Sequence, residues 1–376
     1  MTRVLLVTND FPPTLGGIQS YIRDYLDELE PQDVVVFAST QDAAAVEAYD
    51  ASLPYVVYRW PHKIMLPIPA TARRMAEIIE KEQIDTVWFG AAAPLGLLGG
   101  RAKKAGARRV VASTHGHEVG WAMLPIARQL LRRIGRYSDV VTYISEFTLG
   151  RIRGAFGSHV EFAHLPSGVD VERFHPVENG VRARIREELR WGEDEFVIAC
   201  ISRLVPRKGQ DRLIEALPEI LSGGQSVRLV LVGGGPYETK LVELAERHGV
   251  TDYVAFMGRV SEECMVEILQ ACDLFAMPCR TRGRGLDVEG LGIVFLEAQA
   301  CGVPVIAGDS GGAPETIAPG GGVVVDGHSA AAVALAVNSL VAMGGERRQA
   351  MAGKGRQHVK EQWSWEIMGR RLRALL

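Results

Sequence analysis

Several things are scarce in this chain of 376 residues, and each shortage closes off a class of function. There are 5 cysteines (Cys200, Cys264, Cys272, Cys279, Cys301), all in the second half and none in a C-x-x-C pair. An odd, scattered set excludes a disulfide framework and reads as reduced core cysteine. Charge of one sign is also lacking: the net charge is -3, so no overall basic excess points to nucleic acid. No apolar run reaches transmembrane length. The opening MTRVLLVTND enters a strand pattern directly, without the apolar core of a signal peptide. A cytoplasmic protein is expected. What remains is globular composition, 47% hydrophobic and 23% charged, in a chain long enough for two domains.

Short branched runs alternate with helical patterns along the whole length. Val4–Val7, Val34–Phe37, Tyr55–Tyr58, Thr86–Phe89, Val110–Ser113, Val140–Ile144 and Val160–Ala163 read as strands in the first half. The pattern pauses at LPSGVDVERFHP (Leu165–Pro176) and restarts with FVIACISRL, VRLVLVGGG, YVAFMGRV, DLFAMPC, VPVIAG and GGVVVDG. Alternation of this kind predicts an α/β protein of two doubly wound, Rossmann-like domains facing a cleft. The expected boundaries are 1–168 and 169–360, with the amphipathic EQWSWEIMGRRLRALL forming a last helix over 361–376.

Four stretches carry candidate chemistry. In TNDFPPTLGGIQSYI the chain leaves its first strand and enters a helix across Gly16-Gly17. Such a turn either presents free N–H groups to a phosphate or is an ordinary tight connection. In the second half, Arg203 and Lys208 follow the strand ending at Ile201 and are either pyrophosphate ligands or solvated cations. Glu289-Gly290-Leu291-Gly292-Ile-Val-Phe-Leu-Glu297 offers two carboxylates. If the stretch were fully helical they would lie roughly 12 Å apart, too far for a glycosidase pair and suited to gripping two ends of one ligand. STHGHEVGW places His115, His117 and Glu118 after the Val110–Ser113 strand. H-x-H allows a zinc reading, though no third ligand with recognisable spacing follows, and structural histidine is the plainer account. LVGGGPYETKL lacks the G-x-G-x-x-G spacing and reads as a βα turn.

Taken together, the Gly-Gly loop, Arg-x4-Lys and Glu-x7-Glu resemble the retaining glycosyltransferases with two Rossmann-like domains, the GT-B fold. SRLVPRKGQDRLIEAL, LVGGGP, ACGVPVIAGDSGGAPE and WSWE are similar to that family too, so the resemblance covers essentially the whole chain. It implies that the last helix crosses back to the first domain. It also implies that Arg203 and Lys208 bind the donor diphosphate, that Glu297 holds the ribose hydroxyls and that Glu289 holds those of the transferred sugar. Gly16, Gly17, Gly290, Leu291 and Gly292 would bring backbone to the donor. Gly258 to Val260 would form the base-binding turn, and His115 would stand beside the anomeric centre. Helix N-termini and cations can stabilise a departing diphosphate without a metal. No Asp-x-Asp signature is present, so neither metal nor cofactor is expected.

VTNDFPPTLGGIQSYIRDYL and VVVFAST most closely resemble the actinobacterial phosphatidylinositol monomannoside mannosyltransferases. The resemblance implies a hexosyltransferase that takes GDP-mannose as donor and forms an α-1,6 bond to the inositol of a glycolipid. Rival readings are a UDP-sugar donor with a soluble acceptor, a nucleotide-sugar epimerase, and a non-catalytic sugar-binding protein. A lipid acceptor calls for a membrane-facing surface. Eleven Lys/Arg against three acids lie between Leu98 and Arg153, among them Arg128, Arg132 and Arg133. YRWPHKIMLPIPATARRM adds Trp60, Ile64, Met65 and Leu66 beside Lys63, Arg73 and Arg74. These residues form either an anionic-membrane docking face at the inner leaflet or a solvated basic face over a buried loop.

Overall fold

In the computed structural model, residues 2–14 and 16–376 are described. The chain folds as two compact units, Met1–Ser167 with Trp365–Leu376, and Gly168–Ser364. Unit 1 carries β1 (Val4–Thr8), β2 (Val34–Ser39), β3 (Val56–Trp60), β4 (Thr86–Phe89), β5 (Arg109–Ser113), β6 (Val140–Tyr143) and β7 (Glu161–His164). They form one sheet in the order β3-β2-β1-β4-β5-β6-β7. Unit 2 carries β8 (Phe196–Ile201), β9 (Val227–Val232), β10 (Val254–Gly258), β11 (Leu274–Met277), β12 (Val305–Gly308) and β13 (Gly322–Val325), in the order β10-β9-β8-β11-β12-β13. Every strand pair is parallel.

The strands are apolar runs rather than alternating patterns because helices cover both faces. VLLVT, VVVFAS and FVIACI are buried at every position. Each fully buried Val, Leu, Ile or Phe side chain contributes about 1.5–3 kcal/mol. In unit 1 Leu5, Val7, Phe37, Val87, Phe89 and Met65 share one core. The helix Gly17–Leu26 lays Tyr21, Ile22, Tyr25 and Leu26 inward, the one-face spacing read from the sequence.

Topology fixes where ligands can sit. In each sheet the strand order reverses next to the first strand, between β1 and β4 and between β8 and β11. Open α/β sheets bind ligands beyond the carboxyl ends of their strands at that reversal. The loops leaving β1, β4, β8 and β11 are therefore the ones to read.

The chain's end differs from the single helix expected from residue 361. A long helix in unit 2, Gly345–Gln362, stops just past that point, and a second, Trp365–Leu375, follows in unit 1. The break has a local cause: Trp363 O accepts from Val169 N–H at 2.8 Å, and Ser364 bridges Val169. Extended pairing there is incompatible with helix.

Candidate active-site residues

At the reversal in unit 2, the loop leaving β8 is pinned before it reaches its cations. Gln210 Nε2 donates to Ser202 Oγ at 2.8 Å and to Arg203 O at 3.1 Å. Pro206–Lys208 makes one tight turn, and Gly209 follows at φ 81°. A Cβ on Gly209 would overlap Pro278 O, so only glycine lets the two loops meet. They are then locked by charge. Arg280 grips Asp211 with two bonds of 2.8 and 2.7 Å, both side chains buried, while Arg280 N–H donates to Arg207 O at 2.8 Å.

The same lock brings Lys208 to Glu289. Their Nζ and Oε2 lie 2.6 Å apart, with side chains only 12% and 9% exposed. Arg207 Nε stands 4.0 Å from the same oxygen and 3.7 Å from Asp287. Glu289 cannot drift: its N–H donates to Ser310 Oγ at 3.3 Å and its carbonyl accepts from Gly312 N–H at 3.0 Å. Arg203 is exposed and forms no ion pair among the described residues.

The stretch from Glu289 to Glu297 is not one helix. Gly292, at φ 87°, caps the helix Ile293–Ala300, so Gly290 and Leu291 lie in the turn before it and only Glu297 is helical. The expected 12 Å helical spacing therefore does not apply. Burial pushes the Glu297 carboxyl up to about 7, opposed by Arg173 and reinforced by Glu262. Arg173 and Glu262 themselves pair at 2.9 Å. Gly258 ends β10 at φ 64°, and half-buried Val260 precedes Ser261, which caps the next helix.

At the reversal in unit 1, Gly16 caps the helix Gly17–Leu26 without a side-chain bond, and a Cβ on Gly17 would meet nothing within 4 Å. Leu15 lies outside the described residues. His115 Nε2 is 2.6 Å from Gly90 O, at the exit of β4. A carbonyl only accepts, so Nε2 carries the hydrogen and Nδ1 is left as the ring's acceptor. Burial lowers its pKa to about 4, keeping the ring neutral at physiological pH.

Two residues that sequence reasoning passed over or misplaced complete this corner. Glu118 is fully buried; its carboxylate accepts from His115 N–H at 3.0 Å and faces His117 Nε2 at 3.1 Å. The H-x-H segment is thus organised by a carboxylate, and no group of three metal-ligand side chains occurs among the described residues. Asp10, just past β1, has its pKa raised by burial against the opposing pull of His117. Its signal was present in TNDF, a carboxylate at a strand exit beside the glycine pair.

The apolar loop differs from expectation in two places. Trp60 is half-buried, edge-on to Phe37 at 6.2 Å and packed on the unit 1 core, and Met65 is fully buried. Both are held inward by the β3 register and by Asn9, which bonds Met65 N and O at 2.7 and 2.9 Å. Ile64, Leu66 and Ile68 are the exposed apolar side chains there, with Lys63 exposed beside them. Arg128, Arg132 and Arg133 are exposed on the helix Pro125–Tyr137.

Two all-parallel sheets, each with polar side chains gathered at its strand-order reversal, fit an enzyme of two Rossmann-like domains. Residues 181–358 match the family "Glycosyl transferases group 1" and residues 15–173 match "Glycosyltransferase Family 4". The chain belongs to the group 1 glycosyltransferases, with the GT-B fold. It is 56% identical over 374 residues to the GDP-mannose-dependent monoacylated alpha-(1-6)-phosphatidylinositol monomannoside mannosyltransferase of Corynebacterium glutamicum, covering 100% of this chain and 97% of that one. The GDP-mannose-dependent alpha-(1-6)-phosphatidylinositol monomannoside mannosyltransferase of Mycolicibacterium smegmatis is 52% identical, with 99% and 98% covered. Among solved structures, Anabaena HepE in complex with UDP shares the fold at TM-score 0.82 and 19% identity, covering 99% of both chains.

His115 generates a test that needs no substrate. Its pKa falls from 6.5 to about 4 on folding, so the unfolded chain binds the extra proton between those values. Stability is then lost as pH falls from 6.5 toward 4. Urea denaturation from pH 7 down to about 4.5 should show a shallower decline for His115→Asn than for the parent. Equal declines would mean that the ring titrates as it does in water.

Proposed function

We propose that this protein transfers mannose from GDP-mannose, with retention of configuration, to the inositol of a phosphatidylinositol monomannoside, forming an α-1,6 bond. The observation that carries the reading is identity of 56% and 52% along the full length of two relatives bearing that name. In retention, the bond from the anomeric carbon to the diphosphate breaks and the new glycosidic bond forms on the same face. The protein's work is to hold the sugar and to stabilise the charge that gathers on the leaving GDP.

The roles follow the chemistry of each group. Lys208 and Arg203 take the diphosphate, Lys208 giving up Glu289 for it. Gly290, Leu291 and Gly292 lead into a helix N-terminus, where free N–H groups and the dipole favour the same anion. Glu289, once released, accepts from the mannose hydroxyls. Glu297 accepts from the ribose, whose hydroxyl donors draw its raised carboxyl toward the ionised form. Gly258 to Val260 receive the base. Gly16 and Gly17 offer backbone to the donor, and neutral His115 offers Nδ1 as an acceptor to a sugar hydroxyl. These groups supply the charge stabilisation that a metal supplies elsewhere, so the reading includes neither metal nor other cofactor.

A membrane-bound acceptor brings a docking face into the reading. No helix among the described residues is long and apolar enough to cross a membrane. Met123, Leu124 and Ile126 are 51, 62 and 78% exposed at the start of the helix that carries Arg128, Arg132 and Arg133. Apolar tips next to cations suit insertion at an anionic interface. Part of the basic excess is neutralised locally, because Lys103 pairs with Asp139 at 2.7 Å and Arg108 lies 3.6 Å from Asp85. The helix Pro125–Tyr137 and the Lys63–Ile68 loop are therefore the proposed contacts, at the inner face of the cell membrane.

Two experiments test these statements. GDP-mannose, UDP-glucose and UDP-GlcNAc, each offered with the glycolipid in EDTA, should give transfer from GDP-mannose alone. Arg203→Ala and Lys208→Ala should each cost at least ~3 kcal/mol of transition-state stabilisation, about a hundredfold in rate. Transfer from a UDP-sugar, or parental turnover in a folded variant, contradicts the assignment.

The second experiment is cosedimentation with vesicles of varied phosphatidylinositol content. Each cation near an anionic surface contributes about 1 kcal/mol, within roughly 8 Å at physiological salt. Binding should weaken steeply with salt and with Arg128→Glu, Arg132→Glu and Arg133→Glu combined, while donor hydrolysis persists. Equal binding to neutral vesicles would make this a solvated face.

A further inference from the structure

Two buried phenols on the helix Gly17–Leu26 have no part in the chemistry above. Tyr21 and Tyr25 lie one turn apart, ring centroids 4.7 Å from each other, and burial holds both hydroxyls well above the usual phenol range. A buried hydroxyl needs a partner. Each finds a backbone carbonyl just before the chain leaves unit 1: Tyr21 donates to Leu165 O at 2.8 Å, and Tyr25 donates to Pro166 O. Their rings then diverge. Tyr21 meets His115 edge-on, 4.8 Å between centroids with planes at 85°. Tyr25 meets Trp365 in the same manner at 4.9 Å.

We propose that Tyr21 is the positioning residue of His115: its ring and the Gly90 carbonyl together fix the imidazole in one orientation and one tautomer. The inference rests on the reading that His115 serves the transferred sugar. One bond from Nε2–H to Gly90 O leaves the imidazole free to pivot about that contact. A half-turn about Cβ–Cγ would move the nitrogens and change which one presents a lone pair. A rigid ring set at right angles to the imidazole removes both motions. Tyr21 can do this because its own hydroxyl is tied to Leu165 O, which fixes the phenol at its far end. Leu165 is in turn held by its N–H to Tyr143 O at 2.9 Å, an extension of the β6–β7 pairing. The chain of support runs from sheet to carbonyl to phenol to imidazole, all within unit 1.

Tyr25 supplies the control, since it makes the equivalent bond to Pro166 O and packs on Trp365 rather than on His115. The experiment compares Tyr21→Phe, Tyr21→Leu and Tyr25→Phe in the full chain. It reads the ¹⁵N shifts of the His115 ring, which report its tautomer, together with kcat, KM for GDP-mannose and Tm. Tyr21→Phe keeps the ring but cuts its tie to Leu165 O, so Tm should fall and the shifts should move part of the way seen in Tyr21→Leu, with a smaller loss of kcat. Tyr21→Leu should move the shifts toward a tautomer mixture and lower kcat about tenfold or more, with KM within about twofold. Tyr25→Phe should lower Tm and leave the His115 shifts in place. Tyr21→Met serves the same comparison if the leucine variant does not fold. Unmoved shifts in Tyr21→Leu or Tyr21→Met overturn the positioning role. Moved shifts with unchanged kcat support it and overturn instead the part given to His115 in the reaction.

Discussion

An ammonium and a carboxylate 2.6 Å apart, both nearly out of solvent, are what the loops of unit 2 are built to bring together. Removing one partner of a buried pair leaves the other uncompensated. The Arg280–Asp211 lock, the close approach at Gly209 and the bonds on either side of Glu289 all serve that meeting. The pair, in the proposed reaction, also keeps both groups in place before the donor arrives. In the proposed reaction the donor divides them, diphosphate to Lys208 and sugar hydroxyls to Glu289, so each charge trades one partner for another rather than for water.

Unit 1 uses the opposite tactic. Its central imidazole is kept uncharged, with burial outweighing the Gly90 carbonyl that favours protonation. A neutral ring with a defined acceptor suits contact with hydroxyls, where an imidazolium could only donate. Two residues further along, the exposed His117 faces buried Glu118 at 3.1 Å.

Much of this could be read from the sequence, for physical reasons that differ by element. Runs such as VLLVT and FVIACI signal strands buried on both faces, and the glycine pair signals an open helix start. Charge pairing was not legible, because Lys208 meets Glu289, and Arg280 meets Asp211, only after the sheet has closed. The helical ruler laid from Glu289 to Glu297 failed because Gly292 adopts a left-handed conformation that spacing does not reveal. Trp60 looked like an interfacial anchor from its basic neighbours, yet strand register turned it onto the core. Glu118 gains meaning only from burial beside His117, which composition does not carry.

The exchange of partners at Lys208 is the central claim, and calorimetric titration of GDP into the parent and into Glu289→Gln tests it most directly. Glutamine removes the competing charge while keeping the shape. GDP, which has no sugar for Glu289 to hold, should then bind Glu289→Gln at least as tightly as the parent, while mannose transfer is lost. GDP binding about tenfold weaker in Glu289→Gln would contradict the account, because Glu289 would then be supporting the diphosphate site rather than competing for its lysine.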